Sequence, residues 1–189
     1  MIESARSFPP LVGASAHTLI LGTMPGQASL TASQYYAHPR NAFWPIMLAI
    51  IDNKTPSYES VKHFNYDQLC NKLIEHGYAI WDVLACCDRP GSLDSRIDRN
   101  SEIPNDIAGL ISRHPELRTV ACNGRTAEKL FARHISLPIH YSSTINKDTP
   151  DTTSEATTPK LCSLPSSSPA MASLTLVEKY QLWADGLLG

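Results

Sequence analysis

An apolar strand, a tight turn and a cluster of polar and aromatic side chains follow one another over residues 19–44, LILGTMPGQASLTASQYYAHPRNAFW. The apolar run 19–21 is typical of a buried strand, and the GTMPG sequence at 22–26 breaks it. Such a turn presents backbone N–H groups at the carboxyl edge of a sheet, where α/β proteins bind ligands. The following rings, amides, imidazole and guanidinium can stack, form hydrogen bonds and bind a phosphate. These residue types suit a planar polar heterocycle attached to a phosphodiester.

Three segments resemble the motifs of one enzyme superfamily. The GxMPG turn and the YYAHPRNxFW run resemble motif 1 of the uracil-DNA glycosylase superfamily, most closely in its hypoxanthine (deoxyinosine) DNA glycosylase branch. ACNG at 121–124 is similar to the second motif, and LPSSSPA at 164–170 to the third, in the family's order. The resemblance implies an α/β fold, a three-layer α/β/α sandwich. It also implies a monofunctional enzyme that hydrolyses the N-glycosidic bond of deaminated bases in DNA, above all hypoxanthine, in base excision repair.

The resemblance assigns catalysis to Asn41. Other branches place Asp or Asn at the position of Met24, where that residue orients the attacking water, and a thioether cannot do so. In the deoxyinosine branch the Asn of the HPRN run takes this role, which falls here to Asn41. Its amide would position water, because an amide is not a strong base. The alternative is that Asn41 only caps the following helix.

Base binding is expected from the first two motifs. Tyr36 is the expected stacking face, because an aromatic residue directly before Ala-His-Pro lies against the flipped base in related glycosylases. Tyr35 is the alternative, unless both rings cover the core. Asn123 ends a strand, and its amide matches the O6/N1–H edge of hypoxanthine or the O4/N3–H edge of uracil, unless it forms an Asx turn or helix cap. The other expected base-binding residues are Gly22, Met24 and His38, although a His before Pro also serves as a loop hydrogen-bonding element.

A hydroxyl-rich turn between two prolines is suited to binding phosphates beside the extruded nucleotide. Met171 follows this turn and would be an apolar wedge that fills the vacated base stack, or a side chain that packs inward. Leu164 replaces the His or Asn with which several branches begin motif 3, so we expect no general acid there. The expected DNA contacts are Ser166, Ser167, Ser168, Met171 and Arg40, with Arg125 a further candidate; either arginine is otherwise a plain surface charge.

Composition bounds the class of protein. With 189 residues, 42% hydrophobic and 18% charged, the chain fits one soluble domain, and no window is apolar enough for a membrane helix. The N-terminus lacks the features of a signal peptide, so we expect a cytoplasmic monomer. The net charge of −2 argues weakly against DNA binding, but phosphate contacts depend on local patches. The expected partner is DNA containing deaminated bases.

Neither metal nor cofactor is expected. The five cysteines form no CxxC pair, and the histidines form no HxH or HxxxH pair, so zinc or iron–sulfur ligation is not predicted. Reduced, partly buried thiols are expected in a cytosolic setting. The three motifs contain no lysine that could form a Schiff base with the sugar, so we do not expect the enzyme to cleave the DNA strand as well.

Strands and helices alternate in the predicted order of elements. The apolar patterns predict strands over 17–24, 78–84, 118–122 and 137–141, and helices over 43–51, 66–76, 104–114, 125–134 and from 175 onward. In the last helix we expect Val177, Tyr180, Trp183 and Leu187 to face inward. Capping pairs at Asn65/Gln68 and Thr175/Glu178 mark two helix starts. This alternation predicts a mostly parallel sheet covered on both faces.

Residues 142–160 stand apart, because they are rich in Ser, Thr, Asp and Pro and lack apolar periodicity. We expect a flexible insertion within a single domain of residues 1–189, since this segment cannot bury enough surface to offset its ordering. A functional lid is the alternative.

Two other functions remain open at this point. A uracil or mismatch-specific DNA glycosylase would use the same motifs, because one or two pocket atoms decide the base. A non-catalytic nucleotide or nucleic-acid binding module would keep Tyr36 and Asn123 but would have no use for a water-positioning Asn41.

Overall fold

A five-stranded parallel sheet lies at the centre of the computed structural model, which describes residues 4–136, 140–141 and 158–189. The strands are β1 (Ser4–Arg6), β2 (Thr18–Gly22), β3 (Tyr78–Asp82), β4 (Leu84–Asp88), β5 (Ile103–Pro104), β6 (Thr119–Asn123), β7 (His140–Tyr141) and β8 (Lys160–Leu164). The helices are α1 (Gln27–Ala32), α2 (Phe43–Asp52), α3 (Tyr58–Val61), α4 (Tyr66–Glu75), α5 (Ile107–Arg113), α6 (Arg125–His134) and α7 (Leu176–Leu188). The strand order of the central sheet is β3-β2-β6-β8-β7.

Both faces of this sheet are covered by helices. Leu19 and Leu21 of β2 contribute to a core with α5 and α6, whereas Ile20 contributes to a core with α2, α4 and α7. The alternation follows from the two-residue period of a strand, and burial on both faces explains why β2 and β3 read as continuous apolar runs. The predicted three-layer α/β/α sandwich is confirmed. No helix within the described part of the chain is long and apolar enough to cross a membrane.

Two helix starts follow the predicted caps. Asn65 accepts a hydrogen bond from the Gln68 backbone N–H while the Gln68 side chain accepts from that of Asn65, and Thr175 and Glu178 form the same reciprocal box. Each box satisfies N–H groups that the first helical turn leaves without partners. Both capping predictions are confirmed.

A second, antiparallel sheet was not predicted. The strand expected over 78–84 ends at Asp82, and the chain then enters β4, which pairs with β1 and β5. The prediction that Pro104 begins a helix is wrong, because Pro104 belongs to β5 and α5 begins only after Asp106, whose carboxylate accepts from the Gly109 N–H. Proline fits such a short edge strand, where no ladder donor is needed.

The last helix and the region before it also differ from the prediction. Val177 is 48% exposed rather than inward, because the inward face of α7 follows the helical spacing of Leu176, Tyr180 and Trp183, and Val177 lies beside that face. β8 was not predicted. Of the strand expected over 137–141, only β7 is described, and residues 142–157 of the expected insertion lie outside the described residues, while Lys160 already belongs to β8.

Candidate active site

A cavity of about 400 Å³ opens at the carboxyl ends of β2, β3, β6 and β8. Parallel pairing brings these ends together, with Gly22 opposite Asp82 and Asn123 opposite Leu164. The cavity wall brings together every predicted site residue except Arg40: Gly22, Met24, Tyr36, His38, Asn41, Asn123, Ser166, Ser167, Ser168 and Met171. Arg40 and Arg125 are exposed and do not line the cavity.

The Tyr36 ring stacks on Phe43, with centroids 3.8 Å apart and planes 16° apart. Its backbone adopts φ 56°, a left-handed conformation that costs energy for a residue with a side chain and is typical of functional sites. The Tyr36 hydroxyl is buried and has no hydrogen-bond partner among the described residues. By contrast, the Tyr35 hydroxyl donates to the Pro9 carbonyl at 3.1 Å and its ring joins the core, although Tyr35 also lines the cavity.

Asn123 is 8% exposed, and both the nitrogen and the oxygen of its side-chain amide form hydrogen bonds with Ser167. Its Nδ2 group donates to Ser167 Oγ at 2.8 Å, and its Oδ1 accepts from the Ser167 N–H at 2.8 Å. The Asx-turn and helix-cap alternative is wrong, because Gly124 (φ 100°) occupies the N-cap of α6 without a side-chain bond. The amide keeps one N–H and one acceptor lone pair for a ligand.

Asn41 lies one residue before the N-cap of α2, and its Oδ1 accepts from the Phe43 N–H at 3.0 Å. The side chain therefore stabilises the start of the helix, as one of the two interpretations expected. Its Nδ2 group makes no hydrogen bond within the described parts of the chain, and the residue lines the cavity. A helix contact and a ligand contact are thus compatible.

His38 hydrogen-bonds within the loop. Its Nδ1 accepts from the Arg40 backbone N–H at 3.1 Å, and its carbonyl accepts from the Asn41 N–H at 2.8 Å. An accepting Nδ1 places the proton of the neutral ring on Nε2. The loop interpretation holds, and Nε2 remains available at the cavity wall.

The turn that contains Ser166, Ser167 and Ser168, here called the serine turn, is held in place by hydrogen bonds to two of its carbonyl groups. The Ser167 carbonyl accepts from the Ala42 N–H at 2.9 Å, and the Ser168 carbonyl accepts from the buried Lys179 ammonium at 3.2 Å. Each hydroxyl also accepts one hydrogen bond: Ser166 from the Ser168 N–H, Ser167 from Asn123, and Ser168 from the Ala170 N–H. Because accepting uses lone pairs only, and the three O–H groups donate to no residue that the structure describes, all three can donate to a ligand. Met171 is half-buried at the cavity rim.

Arg89 was missed by the sequence reasoning. This residue directly follows β4, is 3% exposed, and donates to the Met24 carbonyl at 3.5 Å, to the Pro25 carbonyl and to Asp94 at 3.3 Å. The Pro25 carbonyl therefore points toward the guanidinium, and in a trans peptide the Gly26 N–H points the opposite way. Arg89 fixes the GTMPG turn through its backbone, which no residue type in the turn itself reveals.

Asp82 was also missed. It ends β3 at the cavity wall with 3% exposure, and Ser7 Oγ donates to its Oδ2 at 2.8 Å. Burial raises the pKa of this carboxyl to about 7, aided by the Asp94 charge and opposed by Ser7 and Arg89. A charged residue inside the apolar run AIWDV was the available sequence signal.

Comparisons with known proteins identify the family. The family model for the uracil DNA glycosylase superfamily matches residues 9–185. Two proteins named hypoxanthine DNA glycosylase are similar to this chain. The one from Methanosarcina barkeri is 33% identical over 64% of this chain and 71% of the relative. The one from Methanosarcina acetivorans is 34% identical over 65% of this chain and 72% of the relative. A solution NMR structure of a candidate uracil DNA glycosylase from Methanosarcina acetivorans superposes with a TM-score of 0.69 at 26% identity, over 97% of this chain and 96% of that one. The chain belongs to the uracil DNA glycosylase superfamily.

Proposed function

We propose that this protein is a monofunctional DNA glycosylase that hydrolyses the N-glycosidic bond of hypoxanthine in DNA, as a step of base excision repair. The observation that carries the proposal is the convergence of all three motifs on one cavity of about 400 Å³, a volume in the range of sites for small planar ligands. The names of the two Methanosarcina relatives support hypoxanthine as the base.

In the proposed mechanism the damaged nucleotide leaves the duplex and enters the cavity, because its C1′–N bond is inaccessible within the stack. The base lies against Tyr36, and the free N–H and lone pair of Asn123 read its edge. Gly22, Met24 and His38 complete the wall around the base. Breaking the bond builds positive charge on the sugar, and Asn41 positions the water that adds to C1′.

DNA contacts in this proposal come from the serine turn and its neighbours. The free O–H groups of Ser166, Ser167 and Ser168 donate to phosphate oxygens, and Met171 fills the space that the base vacates. Arg40, exposed beside the cavity, contacts the backbone farther along the strand.

Strand cleavage by the same enzyme is not part of the proposal. The three motif segments carry no lysine, and the buried Lys179 donates to the Ser168 carbonyl and does not line the cavity. We further propose that residues 1–189 form a single domain that acts as a monomer in the cytoplasm, with an insertion that ends before Lys160, the first residue of β8.

The proposal is tested by incubating the protein with duplexes that contain deoxyinosine, uracil or xanthine, followed by alkaline cleavage of the abasic product. We expect the fastest release from deoxyinosine. Faster release of uracil would assign the protein to the alternative uracil-specific activity. Binding to damaged DNA without base release from any duplex would assign it to the non-catalytic class.

A further inference from the structure

Asp82 is a buried carboxyl group in the cavity wall that the proposed mechanism has not used. Its main chain is fixed, because Asn105 Nδ2 donates to the Asp82 carbonyl at 2.9 Å, and Ser7 fixes Oδ2. The other carboxyl oxygen, Oδ1, makes no hydrogen bond to any residue that the structure describes. It lies so close to Gly22 that a Cβ at that position would collide with it.

The Tyr36 hydroxyl lies against the same face of Gly22, 3.2 Å from where a Cβ would stand. Gly22, Tyr36 and Asp82 all line the cavity, so a polar group without a partner and a free carboxyl oxygen meet at one wall of it. A buried polar group without a partner is costly, and such groups persist where a ligand completes them. The absence of a Cβ at residue 22 is what permits this approach.

The surroundings of Asp82 let it keep its proton until the pH approaches 7. Burial is the dominant effect and, with the Asp94 carboxylate, raises the pKa to about 7 against the opposing effects of Ser7 and the Arg89 guanidinium. Tyr35 and Tyr36 face the same carboxyl and are neutral, because burial and Asp82 hold their pKa values above the usual range. His38 also lines the cavity.

Resting on the proposed glycosylase function, we propose that Asp82 is a catalytic residue that donates a proton to N7 of the departing purine. N7 is the most basic ring nitrogen of a 6-oxopurine nucleotide. The proton moves from Oδ1 to N7 while the C1′–N9 bond breaks and its electron pair passes to the base. The base then leaves neutral instead of as an anion, and Asp82 becomes a carboxylate.

The remaining steps balance the proton. Water adds to C1′ of the sugar cation and releases one proton to solvent, and Asp82 takes a proton from solvent before the next turnover. Positioned general acids contribute typically 10²- to 10⁴-fold to a rate, which suits a leaving group that departs poorly as an anion. Uracil has no corresponding basic ring nitrogen, so the contribution of Asp82 is specific to purines.

The test compares Asp82→Asn with the parent on two duplexes, one with deoxyinosine and one with 7-methyldeoxyinosine. The methylated base carries no lone pair at N7 and leaves neutral without a proton. We expect the substitution to slow hypoxanthine release by about 10²-fold or more, and to change release of 7-methylhypoxanthine by less than about threefold. The parent rate on deoxyinosine should fall as pH rises through about 7, and the variant rate should not depend on pH in that range.

Equal slowing on both substrates would overturn the proposal, since Asp82 would then only shape the cavity. Unchanged hypoxanthine release would overturn it as well. A parent that releases uracil but no hypoxanthine would instead refute the proposed function, and the acid with it. Ser7→Ala gives a second measurement should Asp82→Asn fail to fold. Because the Ser7 hydrogen bond lowers the pKa of Asp82, its loss should shift the decline in rate to higher pH, and an unshifted profile would contradict the proposal.

Discussion

Asn123 and Ser167 form a closed pair in which the amide of one residue bonds both the backbone N–H and the hydroxyl of the other, each at 2.8 Å. The pair joins the end of β6 to the turn that follows β8. The residue proposed to read the base is therefore also the residue that fixes the proposed phosphate-binding turn.

Substitutions at Asn123 separate these two roles. In Asn123→Asp the carboxylate still accepts from the Ser167 N–H, but the NH₂ donor is lost and an acceptor faces a base carbonyl. We expect a loss of roughly 1–3 kcal/mol in transition-state binding, or about one to two decades in single-turnover base release. Asn123→Ala also removes both bonds to Ser167, so its loss should be at least as large, while the contact of Arg40 with undamaged DNA is kept.

The matched control for Asn123 is Ser167→Ala, which removes the hydroxyl contact and leaves the amide intact. It should lower activity less than either Asn123 variant, and the Asn123 losses should differ between hypoxanthine and uracil. If Ser167→Ala lowers base release as much as the Asn123 variants do, Asn123 acts only by holding the turn. The same conclusion follows if the Asn123 variants slow the release of hypoxanthine and of uracil equally.

Asn41→Ala should remove most base release while DNA binding survives. Loss of one oriented reactant costs on the order of 10²-fold, which single-turnover assays resolve easily. The variant also loses the contact with the Phe43 N–H, at a cost to stability of about 1 kcal/mol. Asn65→Ala, which removes the cap of α4 away from the cavity, is the control: it should cost similar stability with full activity. Activity of Asn41→Ala within a few-fold of the parent would exclude Asn41 as the group that positions water.

Met24→Asn should keep base release within a few-fold of the parent, because position 24 no longer positions water in the proposed mechanism. Met24 is almost completely buried yet lines the cavity, so the new amide can reach polar partners there. The measurement is release from deoxyinosine alongside thermal unfolding. A large gain in activity would indicate that residue 24 can still orient the water in this fold.

The stability of the parent should fall as pH rises from about 4 to 7, relative to that of Asp82→Asn. The pKa of Asp82 is about 7 in the folded protein and near 3.8 in the unfolded chain, which therefore loses its proton first. The carboxyl group stabilises the fold fully below pH 4, and this contribution is lost through pH 7. The difference between the two proteins should change by up to roughly 4 kcal/mol in chemical denaturation. Parallel pH profiles would show that Asp82 is ionised in the fold.

Local sequence patterns predicted much of the secondary structure. The apolar runs located β2, β6, α2, α4 and α6 to within about two residues, since burial on both faces of a sheet and helical periodicity both leave marks in sequence. The predicted strands placed the first two motifs at strand ends, but not the third, because it follows β8, which was not predicted. The capping boxes at Asn65 and Thr175 involve residues three positions apart, so the sequence predicted them as well.

What escaped prediction depends on contacts between distant residues. Arg89 bonds carbonyl groups of the GTMPG turn, and a backbone carbonyl looks the same in every sequence. The Asn123–Ser167 pair spans two motifs, so the sequence could not distinguish it from a local cap. Asp82 stood in an apolar run, but its free Oδ1 follows from the position of Gly22 on the neighbouring strand.

The position of β8 between β6 and β7 in the sheet has a consequence for the order of folding. β8 pairs with β6, and the serine turn follows it directly, so the cavity cannot close until a strand from the last part of the chain has entered the sheet. Contacts of such long sequence separation are the slow ones in folding, because the entropy of closing the intervening loop must be overcome first. A nascent or partly folded chain thus has motif 1 and lacks a base pocket. Any assay of base excision is in effect an assay of the completed fold.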